Sequence, residues 1–187
     1  MRNSEIAFVD VETTGLNPEM HEIIEICIIT GAQTYYTKIR PLRIEMADPF
    51  ALSINGYNSK EWADAPTFEE VHLQISKMLA GKTITGHNVK FDIEFLNESF
   101  ANIGSVFVTG YRALDTVTLA YEHLFPLGLN SLSLDRIRQF LNWDTKDAHT
   151  ALKDCQDTKR LFLLLNRMGF VTKSKILIRR RFFKGGL

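Results

Sequence analysis

The chain has 187 residues, of which 45% are apolar and 24% are charged, a balance that suits one globular domain with a sizeable core. No apolar run approaches the roughly 20 residues of a membrane helix, and the N-terminus lacks a signal-peptide layout. These features exclude a membrane-spanning class and lead us to expect a cytoplasmic protein with no membrane partner. Cys27 and Cys155 are too few for a disulfide framework, so we expect reduced thiols in or near the core.

Charge is balanced over the whole chain but unevenly distributed along it. The sequence contains 22 basic and 22 acidic side chains, yet residues 173–187 carry six basic side chains and no acidic one. Such a terminus can bind a phosphate backbone or can simply be solvated, and both interpretations stay open. We therefore predict a folded domain over residues 1–170 and a basic C-terminal tail over residues 171–187.

Three strands come first in the chain. Apolar and β-branched runs bounded by turn residues predict strands over residues 5–11, 23–30 and 34–39. Gly31 marks the hairpin turn between the second strand and the third. Residues 42–66 follow an irregular pattern, with a short helical segment expected near Pro49.

Helices and short strands alternate in the rest of the chain. Thr67 and Glu70 form a capping box that begins the first long helix. Two more strands are predicted over residues 82–86 and 106–109, and further helices over residues 88–103, 115–124, 131–141 and 148–168, the last ending at Gly169. Because hairpin strands come first and crossovers later, we expect an α/β fold with a mixed sheet and helices on its faces. The strands that lead to Asp10 and to Asp92 should be central and adjacent.

Two acidic residues close the first strand. Asp10 and Glu12 are two positions apart, so their side chains lie on the same face of the strand. An isolated buried pair would repel and one carboxyl pKa would rise, whereas a divalent cation would remove that repulsion. Acids solvated at the end of a strand are the alternative, and the pair alone does not decide between them.

Asp92 is predicted in the first turn of a helix, where an acid is favourable for the helix dipole alone. The polar pair His87 and Asn88 precedes it, and Phe91 is its neighbour. A helix start with these residues could bind a phosphate and stack a base. Phe91 is equally consistent with a place in the core.

His149 and Asp154 are five positions apart, about 140° on a continuous helix, and so are not two ligands on one helical face. We expect His149 in a flexible segment before the helix, with Asp147 as N-cap and Asp154 one and a half turns into the helix. The histidine could then move toward a metal site and act as a general base.

Three motifs in this order resemble the DEDDh 3′–5′ exonuclease family, to which proofreading epsilon subunits of DNA polymerase III and free-standing relatives belong. The resemblance extends from about residue 5 to residue 168. The motifs are Phe8-Val9-Asp10-Val11-Glu12-Thr13-Thr14-Gly15, His87-Asn88-Val89-Lys90-Phe91-Asp92 and His149-Thr150-Ala151-Leu152-Lys153-Asp154.

The resemblance implies an RNase H-like fold with a five-stranded mixed sheet, and two Mg²⁺ or Mn²⁺ ions. By position, Asp10, Glu12 and Asp154 resemble the ligands of the ion that activates water. Asp10 and Asp92 resemble those that reach the second ion, and His149 resembles the general base. Positions that line the terminal-nucleotide pocket of the family match Thr13, Thr14, Leu16, His87, Asn88 and Phe91.

The function predicted from these residues is metal-dependent hydrolysis of phosphodiester bonds from the 3′ end of single-stranded nucleic acid. DNA is the expected substrate, with a two-metal mechanism and a histidine base. An exoribonuclease is one alternative, because the sequence does not show whether the pocket accepts a 2′-hydroxyl. A proofreading subunit docked on a polymerase partner through the basic tail is the other, and the pathway, DNA replication, DNA repair or RNA turnover, stays open.

Overall fold

A computed structural model describes residues 5–107 and 112–167 of the chain. The strands within these ranges are β1 (Ile6–Thr13), β2 (Ile23–Thr30), β3 (Gln33–Lys38), β4 (Thr83–Gly86) and β5 (Ala113–Asp115). The α-helices are α1 (Pro49–Asn55), α2 (Ser59–Trp62), α3 (Phe68–Leu79), α4 (Val89–Asn102), α5 (Thr116–Leu124), α6 (Leu134–Leu141) and α7 (Ala151–Asn166). Two short 3₁₀ turns cover Ile44–Met46 and Phe125–Leu127.

The strands form one mixed sheet in the order β3-β2-β1-β4-β5. β1 pairs antiparallel with β2 and parallel with β4, while β2 pairs antiparallel with β3 and β4 parallel with β5. The predicted α/β class with a five-stranded mixed sheet is confirmed, as is the central position of β1 next to β4.

Helices cover both faces of this sheet, and β1 alternates between them. Ala7, Val9 and Val11 belong to the core cluster that contains α3 and α4. Ile6 and Phe8 belong to the opposite cluster, which includes the start of α7. Because side chains alternate along a strand, Asp10 and Glu12 continue the face that α7 covers.

The two cysteines lie on that same α7 face. Cys27 on β2 and Cys155 on α7 are both buried and unbridged. The expectation of reduced core thiols agrees with this arrangement. A third cluster of buried side chains joins α5, α6 and the second half of α7.

The fifth strand is not where the sequence pattern placed it. β5 is Ala113–Asp115, whereas Val106 and Phe107 of the predicted 106–109 strand are in no strand and residues 108–111 lie outside the described ranges. β5 has three residues, and its polar end Asp115 caps the next helix by accepting a hydrogen bond from the Val117 N–H at 2.8 Å. A strand of three residues shows too little alternation to be recognised in the sequence. The sequence pattern instead predicts the strand at the apolar run of residues 106–109.

The last two helices also begin later than predicted. α6 begins at Leu134 after the N-cap Ser133, and α7 begins at Ala151 after the N-cap Thr150. Asp147, predicted as the N-cap, has a positive φ of 59°, and His149 one of 65°, so the helix cannot extend back through them. Asp154 therefore lies in the first turn of α7 instead of one and a half turns in.

No helix in the described part of the chain is long and apolar enough to cross a membrane. The predicted tail over residues 171–187 and the predicted helix end at Gly169 lie outside the described residues.

The capping box of α3 is confirmed, since the Thr67 N–H donates to Glu70 Oε2 at 2.7 Å and both halves of the motif are formed.

Candidate active site

Three carboxylates meet where the end of β1 faces the start of α7. Ligand atoms of Asp10, Glu12 and Asp154 all lie within 4.8 Å of one another. The first two share a face of β1 because they are two positions apart, and Asp154 is brought to them by the first turn of α7. The structure thus joins residues that lie more than 140 positions apart in the sequence.

Asp92 reaches the same region from the other side of β1. It is buried in the first turn of α4, and its Oδ1 accepts a hydrogen bond of 3.0 Å from the Val11 N–H, between the two acids of β1. It is not a member of the three-carboxylate cluster. A β-carbon at Gly86 would lie 3.0 Å from Val89 and 3.1 Å from Asp92 Oδ2, so this close approach of β4 to α4 favours glycine.

The acids strongly affect one another's ionisation. Burial raises the pKa of Asp10 well above its usual range, and the negative charges of Asp92, Asp154 and Glu12 raise it further. Burial, followed by repulsion from Asp154, raises the pKa of Glu12 to about 9. Burial also raises the pKa of Asp92, although the Val11 N–H opposes this effect.

This donor set fits divalent cations. It offers only oxygen ligands, which hard cations such as Mg²⁺ and Mn²⁺ prefer. Burial and mutual repulsion raise the pKa values of Asp10 and Glu12, although Arg138 partly opposes the effect on Glu12, and a divalent cation would supply further positive charge.

A buried arginine fixes Asp154. The fully buried Arg138 of α6 donates from Nη2 to Asp154 Oδ1 at 2.6 Å and from Nε to Asp157 Oδ2 at 2.8 Å. Oδ1 of Asp154 also accepts the His149 N–H at 3.1 Å. Because Oδ1 already accepts two hydrogen bonds, Oδ2 is the oxygen better placed to take a cation.

Arg138 was missed in the sequence, although its pattern gave a signal. It stands among Leu134, Ile137 and Leu141 on the buried face of α6. A charged residue within an apolar stripe must find buried partners of opposite charge, and this requirement predicts a carboxylate cluster beside α6.

Glu25 is a second residue that the sequence did not single out. It is 2% exposed, lies opposite Glu12 in the β1–β2 register, and its Oε2 accepts a hydrogen bond of 3.2 Å from the Ala151 N–H. Ala151 is the first residue of α7. Glu25 therefore ties the beginning of that helix to the sheet, and burial raises its pKa.

His149 lies immediately before α7 and is partly exposed. Its Nε2 is 3.1 Å from Asp135 Oδ2, and its backbone N–H is bonded to Asp154. The structure gives this histidine these two contacts, and the expected flexibility of the segment stays a prediction. Asp135 was not anticipated from the sequence.

The predicted nucleotide-pocket residues fall into two groups. Leu16 is 78% exposed, Asn88 is exposed, and Phe91 is half-buried with its ring 4.7 Å from that of Phe95. All three are at least partly exposed, and Phe91 also packs against the core cluster of α3 and α4. Their role in binding stays a prediction.

The remaining three have their polar atoms engaged within the protein. Thr13 Oγ1 donates to Gly15 O at 2.6 Å, and Thr14 Oγ1 accepts the Glu22 N–H at 2.9 Å. The ring nitrogens of His87 contact Thr116 Oγ1 at 2.9 Å and Leu132 O at 2.7 Å. These bonds shape the loops around the acids, and a role in binding substrate stays a prediction for this group too.

A mixed α/β sheet that presents four acids at the end of its central strand and at the starts of two helices defines a metal-dependent hydrolase domain. A sequence profile of the exonuclease family, RNase_T, matches residues 7–162, and the chain belongs to this family. The predicted family and the predicted enzyme class, a hydrolytic 3′–5′ exonuclease, are thereby confirmed.

Among curated proteins, the chain is similar to a DNA polymerase III subunit epsilon of Buchnera aphidicola, with 30% identity over 172 residues. The match covers 84% of this chain and 69% of that protein.

Two solved structures have a similar fold. One is Escherichia coli exonuclease I in complex with a dT13 oligonucleotide, with a TM-score of 0.75 and 19% identity over 87% of this chain and 41% of that one. The other is a 3′-exonuclease that recognises the 3′ end of a histone mRNA stem-loop, with a TM-score of 0.69 and 18% identity over 86% of this chain and 63% of that one.

Proposed function

We propose that this protein removes nucleotides one at a time from the 3′ end of single-stranded DNA, using two Mg²⁺ or Mn²⁺ ions. The observation that carries the proposal is the cluster of Asp10, Glu12 and Asp154 within 4.8 Å, with Asp92 beside it. When bound, the cations supply a polarised water nucleophile and neutralise the charge that develops on the phosphate.

The roles of the acids follow from their anchoring. Asp154 and Asp92 each have one oxygen held by donors of the protein, so the second oxygen of each is oriented and free to bind a cation. Asp10 belongs to the cluster with Glu12 and Asp154 and is also repelled by Asp92, so it would be the ligand that the two ions share. Anchored carboxylates need little rearrangement when a cation binds.

His149 is the residue placed to accept a proton. Its backbone N–H is bonded to Asp154, and among the described residues only one of its two ring nitrogens has a partner, whereas both ring nitrogens of His87 are held. Its imidazole takes the proton of the attacking water as the new phosphorus–oxygen bond forms. The bond from phosphorus to the 3′ oxygen breaks, and that oxygen takes a proton from solvent. A nucleoside 5′-monophosphate is released, and the shortened strand ends in a 3′-hydroxyl.

Two similarities support DNA as the substrate. The relative at 30% identity is a DNA polymerase subunit, and one structural neighbour was solved with a DNA oligonucleotide. The neighbour that recognises a histone mRNA makes RNA the alternative to be tested.

The test compares matched DNA and RNA oligonucleotides carrying a 5′ label, in Mg²⁺, in Mn²⁺ and in EDTA. We expect a ladder of shortened DNA products with either metal and no products in EDTA. A strand blocked at its 3′ end is the control and should stay intact. Activity that persists in EDTA, or cleavage of the blocked strand, would contradict the proposal, and faster degradation of RNA would reassign the substrate.

A further inference from the structure

Asp135 connects His149 to a fixed part of the protein. Its Oδ2 is 3.1 Å from His149 Nε2, and its Oδ1 accepts a hydrogen bond of 2.8 Å from Arg138 Nη1. Arg138 itself is fully buried and held by Asp154 and Asp157. Asp135 is half-exposed, but the buried arginine fixes one of its oxygens and so directs the other.

This contact decides which ring nitrogen of His149 carries the proton. An ionised carboxylate only accepts hydrogen bonds, so the nitrogen facing it must donate. The proton of the neutral imidazole therefore sits on Nε2, and Nδ1 keeps its lone pair. No hydrogen bond to Nδ1 is found among the described residues.

We infer that Asp135 is a positioning residue for His149, holding the ring in place and keeping its proton on Nε2 so that Nδ1 accepts the proton from water. The inference rests on the proposed role of His149 as general base. It adds the orientation of that base and the residue responsible for it.

Asparagine at position 135 gives an unusually direct test because Arg138 dictates how its amide must turn. Arg138 Nη1 is a donor, so the amide oxygen will face Arg138 and the NH₂ group will face His149. An NH₂ group facing Nε2 requires a lone pair there, which moves the ring proton to Nδ1 and blocks the base. Alanine removes the contact without imposing either tautomer.

The two substitutions should therefore differ in the single-turnover rate. We expect Asp135→Asn to lower it roughly 100-fold and Asp135→Ala roughly 10-fold, with little change in KM. Asp135→Glu keeps the carboxylate and should recover part of the loss. Asp144→Asn is the control, since Asp144 is exposed in the loop between α6 and His149 and accepts only the Lys146 N–H in the described structure.

The tautomer of His149 can also be measured directly, without an activity assay. The ¹⁵N shifts of the His149 ring, recorded in EDTA at a pH about 2 above an ordinary histidine pKa, should show a protonated Nε2 in the native protein. In Asp135→Asn the proton should appear on Nδ1. Calorimetric titration with Mg²⁺ should give similar affinities for the native protein, Asp135→Asn and Asp135→Ala, since Asp154 keeps its own bond to Arg138.

A double-mutant cycle separates positioning from a purely structural role. In a His149→Ala background, Asp135→Ala should cause no further loss of rate. A further loss there, or ¹⁵N shifts that are the same in the native protein and Asp135→Asn, would overturn the inference. If His149→Ala alone leaves the rate unchanged, the general-base proposal fails, and the catalytic part of the inference fails with it. The ¹⁵N shifts of the His149 ring test the tautomer independently of that result.

Discussion

Each acid at the site has a distinct set of protein contacts, and Asp10 has the most crowded position. Its carboxyl group is surrounded by Asp92, Asp154 and Glu12, and burial and these charges all raise its pKa. An ionised acid in such a place destabilises the cation-free protein, and this is the environment expected of a cation ligand.

Asp10→Asn should therefore separate activity from stability. We expect the exonuclease rate to fall by several orders of magnitude, because the ligand that we propose for both cations is lost. The midpoint of thermal unfolding in EDTA should stay the same or rise, since one source of repulsion is removed. Turnover close to that of the native enzyme would reject Asp10 as a ligand.

Arg138→Met should destabilise the protein by roughly 3–5 kcal/mol, because it removes the buried guanidinium that both Asp154 and Asp157 accept from and leaves Asp157 with Lys153 alone. Urea unfolding in EDTA measures this loss. Arg136→Met, two positions away on the exposed side of α6, should change stability by less than about 1 kcal/mol and is the matched control. Equal effects of the two substitutions would deny Arg138 a special role.

At the scale of elements, the start of α7 is the part that must be placed accurately. Thr150 caps the helix by accepting the Lys153 N–H at 3.3 Å, and Glu25 on β2 accepts the Ala151 N–H. One cap is local in sequence and the other comes from 126 positions away. Together they fix the helix turn that carries Asp154 at the end of β1.

Thr150→Ala removes the local cap and should lower the free energy of unfolding by about 1 kcal/mol. Thr145→Ala, in the exposed loop just before, should leave it nearly unchanged. Denaturant unfolding of both variants gives the comparison. If the two variants were equally stable, the Oγ1 contact of Thr150 would carry no capping energy.

The sequence predicted most elements because their patterns are local. Residues 5–11 and 23–30 show apolar runs that became β1 and β2, and the Thr67–Glu70 box marked the start of α3. The pairing of Asp10 with Glu12 followed from strand periodicity alone. Glu25 could not be found from local spacing, because its contact with Ala151 joins segments 126 positions apart. Arg138 was overlooked although its place in the apolar stripe of α6 is a local signal, and Asp135 gains its role from a contact with His149 in a later segment.

At the scale of the whole molecule, the acidic site links cation binding to folding. Glu12 has a pKa of about 9 in the folded protein, against an ordinary value of 4.5. Its protonated form thus stabilises the folded state fully below about pH 4.5, and this contribution is lost as the pH rises through about 9. Asp10, Asp92, Asp154 and Glu25 act in the same direction.

The cation-free protein should accordingly become less stable between about pH 7 and pH 9. Each proton that the folded state holds and the unfolded state lacks lowers the free energy of unfolding by about 1.4 kcal/mol for every rise of 1 in pH. This range avoids the opposite effect of His87, whose pKa is lowered by burial.

Scanning calorimetry in EDTA should show a midpoint that falls across this pH range, with a shallower slope in Glu12→Gln. Saturating Mg²⁺ should remove most of the slope, because cation binding replaces the protons. Identical slopes with and without Mg²⁺ would contradict the linkage.

The proximity of Asp10 and Asp154 also brings together two segments that are far apart in the chain. The two residues lie near opposite ends of the described ranges, so a cation held between them would close a loop that contains nearly the whole domain. Opening of the first turn of α7 is then the motion that cation binding suppresses most. Amides of that turn and of the end of β1 should exchange together, slowly with Mg²⁺ and faster in EDTA, because a bound cation would hold the two segments together as well as take part in the chemistry.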